Sequence, residues 1–333
     1  MAVPGATILG VEGLELGRDE AAFLRDADPF GLILFARNVD TPAQVRRLTA
    51  DLRAALGREA PILIDQEGGR VQRLRAPHWR EWLPPLDQMA RSRPGADARG
   101  IWIRYRMIAA ELHALGIDAD CAPSCDIAWP ETHPFLKNRC FGFDAATVAR
   151  AARAAAEGLL AGGVLPVMKH IPGHGRTLVD SHHHLPVAPA PVAELVETDF
   201  APFRALNDLP MGMTAHIVVP ACDAANPSTQ SPEMIRVIRE LIGFGGLLMT
   251  DDLGMQALSG TCGDRAGRAI AAGCDIALHC NGSRNELAET VAAAGRLSAA
   301  GAARAEAALA RHRPPEPIDE KALMAELDGL LSP

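Results

Sequence analysis

The sequence predicts a single (β/α)8 barrel of the TIM type, closed by packing helices at its C-terminal end. Apolar strand candidates alternate with helix-like segments along the chain, which is the pattern of a parallel sheet. Several of these strands are apolar throughout, as a sheet covered on both faces requires. Polar and titratable side chains follow most of the strands, and a barrel gathers those strand ends around one mouth. A chain of 333 residues suits one such barrel.

Eight apolar runs bounded by glycine, proline or polar residues predict the strands of the barrel. They are Thr7–Glu12, Gly31–Phe35, Pro61–Asp65, Gly116–Pro123, Val164–His170, Met211–His216, Gly246–Asp251 and Asp275–Cys280. The helices between them are predicted at Pro42–Leu56, Asp97–Leu115, Ala145–Ala161, Pro191–Leu206, Pro232–Leu241, Arg265–Ala272 and Arg284–Ala299. Thr41 is the expected N-cap of the first of these helices, because a proline at the first helical position follows it.

The catalytic barrel is expected to occupy residues 1–300, with a helical tail at 301–333 packed on it. The tail is rich in alanine from Gly301, and Pro314 and Pro315 interrupt it before a final amphipathic segment at Glu320–Leu331. No internal repeat of a solenoid period occurs.

The composition argues against several classes of protein. The net charge is −8 and no basic block stands out, so nucleic acid is not an expected partner. No apolar run approaches the length of a membrane span, and the first residues do not form a secretory signal. Seven cysteines without a CxxC pair indicate reduced thiols rather than a disulfide framework. We therefore expect a cytoplasmic protein. Further expectations, which the composition does not decide, are a monomer and the absence of a cofactor or a metal.

The segment Lys169–Pro186, KHIPGHGRTLVDSHHHLP, is the most informative part of the chain. It carries one lysine and five histidines directly after a predicted buried strand. This density of titratable groups is typical of an active-site loop, because imidazole titrates near neutral pH; a plain surface loop is the alternative. Within it, Asp180 lies two residues before His182, and a carboxylate that binds one ring nitrogen makes the imidazole a useful general acid or base.

Two further groups of residues are candidates for chemistry. Asp251 and Asp252 follow a predicted strand, and at most one of them should face the barrel mouth, since neighbouring strand residues point to opposite faces. That carboxylate could act as a nucleophile or stabilise positive charge, whereas the alternative is that both merely cap the next helix. Asp65, Arg73 and Arg139 could hold sugar hydroxyls or amide oxygens, or form ordinary salt bridges at the rim.

A metal site formed by His170, His174 and His182 is a second hypothesis, which would make the chain a metal-dependent barrel hydrolase. The consecutive histidines 182–184 splay their rings, and no HExxH spacing occurs. A GxSxG elbow and the glycine-rich dinucleotide and phosphate motifs are also absent from the sequence.

Four motifs together resemble a known family. They are IDQEGGRVQR at 64–73, KNRCFG at 137–142, the histidine segment at 169–186 and LLMTDDLGM at 247–255. In order and spacing they are similar to the NagZ-type β-N-acetylglucosaminidases of glycoside hydrolase family 3, from about residue 7 to residue 300.

The resemblance implies an enzyme that removes terminal β-linked N-acetylglucosamine with retention of configuration. It implies that Asp251 is the nucleophile and that His182, held by Asp180, is the acid/base. The sugar-binding positions that it implies are Asp65, Arg73, Arg139, Lys169 and His170. It further implies a cytosolic role in peptidoglycan recycling, with GlcNAc-1,6-anhydro-muramyl peptides as the substrate.

Three positions depart from the family pattern. Ile171 replaces a usual phenylalanine, Arg176 lies where an acidic residue is frequent, and Cys140 replaces a usual serine. None of these changes removes a proposed catalytic group. A sugar-binding barrel that has lost catalysis is a third hypothesis, but the sequence speaks against it because Asp180, His182 and Asp251 are all present.

Overall fold

The computed structural model describes residues 3–178 and 185–331, and its sheet has the predicted barrel topology. The strands of the described residues are β1 (Gly5–Gly10), β2 (Pro29–Leu34), β3 (Ile62–Ile64), β4 (Gln66–Gly68), β5 (Val71–Gln72), β6 (Ala119–Asp120), β7 (Leu165–Ile171), β8 (Met211–Thr214), β9 (Leu247–Met249) and β10 (Ala277–His279). Strands β4 and β5 form a separate antiparallel hairpin. The others form a parallel sheet in the order β10-β1-β2-β3-β6-β7-β8-β9. A parallel bridge between Met249 and Ile276 joins its two ends, so the sheet closes into a barrel.

Helices connect the successive strands and cover the outside of the barrel. Those of the described residues are α1 (Arg18–Ala27), α2 (Pro42–Leu56), α3 (Pro85–Arg91), α4 (Asp97–His113), α5 (Pro134–Lys137), α6 (Ala145–Ala161), α7 (Val192–Glu197), α8 (Ala201–Ala205), α9 (Pro232–Arg236), α10 (Cys262–Ala272), α11 (Arg284–Ala294), α12 (Ala299–Leu309) and α13 (Glu320–Leu330). The predicted cap of α2 is confirmed, since the Thr41 hydroxyl accepts a hydrogen bond from the Gln44 amide.

Successive side chains of each strand point to opposite faces of the sheet, and this alternation divides the apolar core into two layers. In β2, Ile33 packs in a cluster inside the barrel, whereas Leu32 and Leu34 pack in a second cluster between the barrel and the helices. Both faces of the strands are therefore buried, which explains why they read as continuous apolar runs.

All eight predicted barrel strands are present, with ends that differ by a few residues from the prediction. The prediction of one helix at Pro191–Leu206 is wrong, because α7 ends at Glu197 and α8 begins at Ala201. Pro202 has no amide hydrogen to donate to the preceding turn, so a continuous helix would be interrupted at this point.

The predicted helix at Arg284–Ala299 is also too long. It ends at Ala294, where Gly295 follows with a φ of 64°. Glycine adopts such a positive φ without steric cost and commonly ends helices. A new helix, α12, then starts with Ser298 as its cap. This helix runs across residue 300, and the division into a barrel at 1–300 and a tail at 301–333 stays a proposal.

The sequence did not predict α1 or the β4–β5 hairpin. Helix α1 is short and its flanking Gly17 provides no capping side chain, so it lacks a start signal. None of the helices in the described ranges combines the length and the apolar content needed to cross a bilayer.

Candidate active site

A cavity of about 260 Å³ lies at the C-terminal ends of the barrel strands. Six of the residues predicted to act together line it, although they come from distant parts of the sequence: Asp65, Arg73, Arg139, Lys169, His170 and Asp251. The other two predicted site residues, Asp180 and His182, lie outside the described residues. Apolar side chains including Ile33, Met213 and Leu278 complete the wall.

Lys169 is the centre of a buried ion network on one side of the cavity. Its ammonium nitrogen lies 2.9 Å from Oδ1 of Asp65 and 2.6 Å from Oε1 of Glu67. The other oxygen of Asp65 accepts a hydrogen bond of 2.9 Å from Nη2 of Arg73. The side chains of Lys169 and Glu67 are only 2% and 1% exposed. These charges are therefore fixed in place before any ligand arrives.

Glu67 is a site residue that the sequence reasoning missed. It binds Arg139 through both carboxylate oxygens, at 3.0 Å from Nε and 2.7 Å from Nη2. The β4–β5 hairpin turns the chain back directly after Asp65 and so places Glu67 behind the cavity wall. The available signal was its position two residues after Asp65, because side chains two residues apart in an extended segment point to the same face.

The network keeps its members charged at neutral pH. Burial alone would raise the pKa of the Asp65 carboxyl, but Lys169 and Arg73 outweigh it and hold that pKa below its usual range. For Glu67, Arg139 and Lys169 likewise overcome burial and lower the pKa to about 2. Burial would lower the pKa of Lys169, yet the two carboxylates raise it above its usual value. Fixed carboxylates and cations of this kind suit the hydroxyl groups of a sugar.

Removing the lysine should destabilise the whole protein. We expect Lys169→Met to lower the free energy of unfolding by about 3–5 kcal/mol, because breaking a buried pair leaves uncompensated charge. Urea denaturation at neutral pH measures this. The exposed Lys321 provides the control Lys321→Met, which should change stability by less than about 0.5 kcal/mol. Equal effects of the two substitutions would contradict the ion network.

His170 and His174 lie together at the start of the histidine segment, with ring centroids 5.9 Å apart. The Nε2 atom of His170 lies 3.2 Å from Nη2 of Arg139, and its Nδ1 atom lies 2.6 Å from Asp126. Burial lowers the pKa of His174 to about 4, so its ring is neutral at pH 7. Among residues 3–178 and 185–331, no group of three or more histidine, cysteine or acidic side chains could hold a metal ion.

Asp251 and Asp252 both line the cavity, so the expectation that at most one would face the mouth is wrong. Strand β9 ends at Met249, and the two aspartates lie in the following turn, where the alternation of a strand no longer applies. Asp252 accepts hydrogen bonds of 2.9 Å from the amides of Gly254 and Cys280 through Oδ1. Asp252 therefore ties this turn to the end of β10.

Asp251 is prepared to act as an anion. Burial would raise the pKa of its carboxyl, but the neighbouring His216 and His170 lower it below its usual value. One of its oxygens accepts a hydrogen bond of 2.8 Å from the Asp252 amide. An ionised carboxylate at the base of a cavity can attack an electron-poor carbon or stabilise positive charge beside it.

Asp120, at the end of β6, lies buried beneath the network. Its Oδ1 atom accepts a hydrogen bond from the Gln66 amide, while Oδ2 has no partner within the described part of the chain. Burial raises the pKa of the Asp120 carboxyl to about 8, against smaller opposing effects of Gln66 and Lys169. Between about pH 4 and pH 8 the folded protein therefore binds a proton that the unfolded chain has released.

This proton predicts how stability depends on pH. Because the folded state holds more protons in that range, stability falls as the pH rises from about 4 to about 8. We expect Asp120→Asn to remove this part of the pH dependence, in which the free energy of unfolding falls by at most about 1.4 kcal/mol per pH unit. Urea denaturation of both proteins between pH 5 and pH 8 tests it. The exposed Asp328→Asn is the control and should follow the wild type; parallel curves for all three would contradict the raised pKa.

The three departures from the family pattern leave the cavity intact. Ile171 and Cys140 are fully buried. Arg176 forms ion pairs with Asp199 and Glu194, each 2.6 Å long, and its guanidinium lies 4.0 Å above the Trp129 ring. Arg176 thus anchors the histidine segment to its surroundings without entering the cavity.

The chain matches the family model described as the glycosyl hydrolase family 3 N-terminal domain over residues 7–311. A beta-hexosaminidase from Bordetella parapertussis is 37% identical over 294 residues, which cover 86% of this chain and 82% of that protein. A family 3 beta-N-acetylglucosaminidase from Paenibacillus sp. strain FPU-7 has a TM-score of 0.86 at 30% identity, and the match covers 97% of this chain and 66% of that one.

NagZ from Neisseria gonorrhoeae is similar over its full length. Its native crystal structure has a TM-score of 0.85 at 31% identity and covers 99% of both chains. The same protein in complex with N-trifluoroacetyl-D-glucosamine has a TM-score of 0.80 at 30% identity, again with 99% of both chains covered. The resemblance seen in the four sequence motifs is confirmed by these matches. The chain belongs to glycosyl hydrolase family 3 and is a glycosidase.

Proposed function

We propose that this glycosidase is a retaining β-N-acetylhexosaminidase that removes terminal β-linked N-acetylglucosamine from the non-reducing end of its substrate. The observation that carries the proposal is that Asp251 lines the same cavity as the network of Asp65, Arg73 and Lys169. Its volume of about 260 Å³ lies below the range of about 300–1,000 Å³ usual for drug-sized ligands. A cavity of this size suits one sugar ring and therefore cleavage at a chain end.

The proposed reaction is a double displacement. In the first step, a carboxylate oxygen of Asp251 attacks the anomeric carbon and the bond to the leaving oxygen breaks. His182, protonated, donates its proton to that oxygen. In the second step, the neutral His182 takes a proton from water, the water oxygen attacks the anomeric carbon, and Asp251 is released.

Asp180 is proposed to orient His182 and to stabilise its cation. Retaining glycosidases normally use two carboxyl groups, and an imidazole in place of one of them is chemically reasonable. Its pKa is near neutrality without the burial that a carboxylic acid needs. Both residues lie outside the described range, so these roles rest on the sequence DSH and on the family resemblance.

The sugar is proposed to be held by Asp65, Arg73, Arg139, Lys169 and His170. Carboxylate oxygens accept hydrogen bonds from hydroxyl groups, and the cations donate to hydroxyl or amide oxygens. The complex of the gonococcal NagZ with N-trifluoroacetyl-D-glucosamine supports an N-acetylglucosamine-type substrate. We further propose that GlcNAc-1,6-anhydro-muramyl peptides are the natural substrate, in peptidoglycan recycling by a monomer in the cytoplasm.

A comparison of substrates tests the proposed activity. The purified protein should hydrolyse a chromogenic β-N-acetylglucosaminide faster than the corresponding β-glucoside, by at least about tenfold, which corresponds to about 1.4 kcal/mol in the transition state. EDTA should leave both rates unchanged. A preference for the glucoside would contradict the proposed substrate. Loss of activity with EDTA and its recovery with zinc would instead favour a metal-dependent hydrolase that uses His170, His174 and His182.

A further inference from the structure

The carboxylate of Asp126 joins two parts of the site that have different tasks. It is fully buried and lies in the segment that follows β6. Its Oδ2 atom lies 2.6 Å from Nδ1 of His170, and its Oδ1 atom accepts a hydrogen bond of 2.6 Å from the His174 amide. One carboxylate thus contacts the imidazole that lines the cavity and the backbone at the start of the histidine segment.

The register of the two strands places Asp126 beside His170. Beyond β6 the chain continues to pair with β7, through a parallel bridge between Ser124 and Lys169. The Cys125 amide donates a hydrogen bond of 2.6 Å to the Lys169 carbonyl, and the Lys169 amide donates one of 3.0 Å to the Pro123 carbonyl. Asp126 lies two residues after Ser124, and His170 directly follows Lys169, so the two side chains meet.

The other contact depends on a close approach of two backbones. A Cβ atom at Gly175 would lie 1.8 Å from the carbonyl oxygen of Ile127, which is the residue after Asp126. Only glycine permits this approach. The Thr132 hydroxyl then donates a hydrogen bond of 2.6 Å to the Gly175 carbonyl. These contacts hold the His174 amide against the Asp126 carboxylate.

The partners of His170 determine where its ring hydrogen lies. A guanidinium can only donate, so Nη2 of Arg139 donates to Nε2 of His170, which must accept. The hydrogen of the neutral ring is therefore on Nδ1 and points at Asp126. Ser124 contributes a third contact, with its hydroxyl 3.1 Å from Oδ2 of Asp126. Burial would raise the pKa of Asp126, but His170, through its hydrogen bond to the carboxylate, and the His174 amide lower it below its usual range, so the carboxylate is ionised.

We propose that Asp126 is a positioning residue, which fixes the Nδ1–H tautomer and the orientation of His170 so that Nε2 accepts the hydrogen bond of Arg139 and holds the imidazole and the guanidinium in the geometry that binds the sugar. This inference rests on the proposed function, because it assigns His170 to sugar binding. The same carboxylate holds the first turn of the histidine segment through the His174 amide. Asp126 therefore acts on the sugar through His170 and on the loop through the backbone.

Two substitutions at Asp126 separate these tasks. Asp126→Asn keeps an oxygen that can accept from the His174 amide, but it turns an amide nitrogen toward Nδ1 of His170. Two donors then face each other unless the ring changes tautomer, and the changed ring would present a hydrogen to Arg139. We expect the KM for the chromogenic substrate and the inhibition constant of free N-acetylglucosamine to rise about tenfold, as for one lost charge-assisted hydrogen bond, with kcat changing less.

Asp126→Ala removes both contacts, and we expect kcat to fall as well as KM to rise. The His170→Ala background provides the decisive comparison. If Asp126 acts through the imidazole, Asp126→Asn should raise the inhibition constant of N-acetylglucosamine less than about twofold in that background, since coupled residues are not additive. A full tenfold effect in both backgrounds would overturn the proposal, because a merely structural role would act independently of His170.

A measurement on the wild-type protein covers the case in which the Asp126 variants do not fold. Nitrogen-15 NMR of the histidine rings, with the His170 signals assigned from their loss in His170→Ala, reports the tautomer directly. We expect His170 to carry its hydrogen on Nδ1, and a hydrogen on Nε2 alone would overturn the proposal. A failure of the proposed function would appear separately, as a wild-type protein that does not hydrolyse the N-acetylglucosaminide.

Discussion

Asp251→Ala should abolish turnover while the protein remains folded. Without the carboxylate no glycosyl-enzyme can form, and positive charge that builds on the sugar in the transition state is left without its counter-anion. We expect kcat to fall at least about a thousandfold, which corresponds to roughly 4 kcal/mol of lost transition-state stabilisation. Steady-state kinetics with the chromogenic N-acetylglucosaminide measure this effect.

Two experiments distinguish a nucleophile from a structural role. Asp252→Asn is the matched control, because its remaining oxygen can still accept from the Gly254 and Cys280 amides. It should keep kcat within about tenfold of the wild type, since a surviving hydrogen bond costs little. Azide should restore release of the chromogenic leaving group by Asp251→Ala, because a small anion can fill the space of the missing carboxylate and attack the anomeric carbon, which forms a glycosyl azide. No rescue, or equal losses in the two variants, would contradict the assignment of Asp251.

His182→Ala should produce the second large effect, and its size should depend on the leaving group. A general acid contributes about 10²–10⁴ to the rate, but only where the leaving oxygen needs a proton. We expect kcat/KM for a phenyl β-N-acetylglucosaminide to fall by about 10²–10⁴. For the dinitrophenyl glycoside the fall should be less than about tenfold, because its leaving group departs as a stable anion.

The neighbouring His183→Ala is the control for this experiment. It removes an imidazole from the same segment, and kcat/KM for both glycosides should change by the same small factor. If His182→Ala reduced both glycosides equally, His182 would not be the acid. If His183→Ala showed the dependence on the leaving group instead, the family pattern would be displaced by one position in this chain.

The barrel was predictable because its strands are encoded locally. Burial on both faces makes strands such as Leu165–Ile171 apolar until the cavity begins, and the first titratable side chain after each run marks the mouth. The ends of helices were less predictable where a single residue decides them. Pro202 and Gly295 were both visible in the sequence, but the segments around them read as continuous helices.

The site was predictable as a set of residues but not as a network. Asp65 and Asp251 each follow a strand, Lys169 lies near the end of β7, and the barrel topology brings such positions together. Glu67 and Asp126 were not predicted as site residues, because their importance depends on contacts across 102 and 44 positions of the sequence, to Lys169 and His170 respectively. The spacing of Glu67 from Asp65 was a local signal, but it does not identify Lys169 as the partner, and no local pattern encodes the partner of Asp126. The expectation that at most one of Asp251 and Asp252 faces the mouth was wrong for a different reason. Strand β9 ends two residues before this pair, so the alternation of a strand does not apply to it.

The most direct test of the account is to identify the covalent intermediate. The enzyme is mixed with the dinitrophenyl N-acetylglucosaminide, quenched in acid within milliseconds and analysed by mass spectrometry of its peptides. The account predicts one added N-acetylglucosaminyl group on Asp251 in the wild type, and a larger fraction of it in His182→Ala, which deglycosylates slowly. An active enzyme that carries the sugar on another residue, or that releases the sugar with inverted configuration and without any adduct, would contradict it.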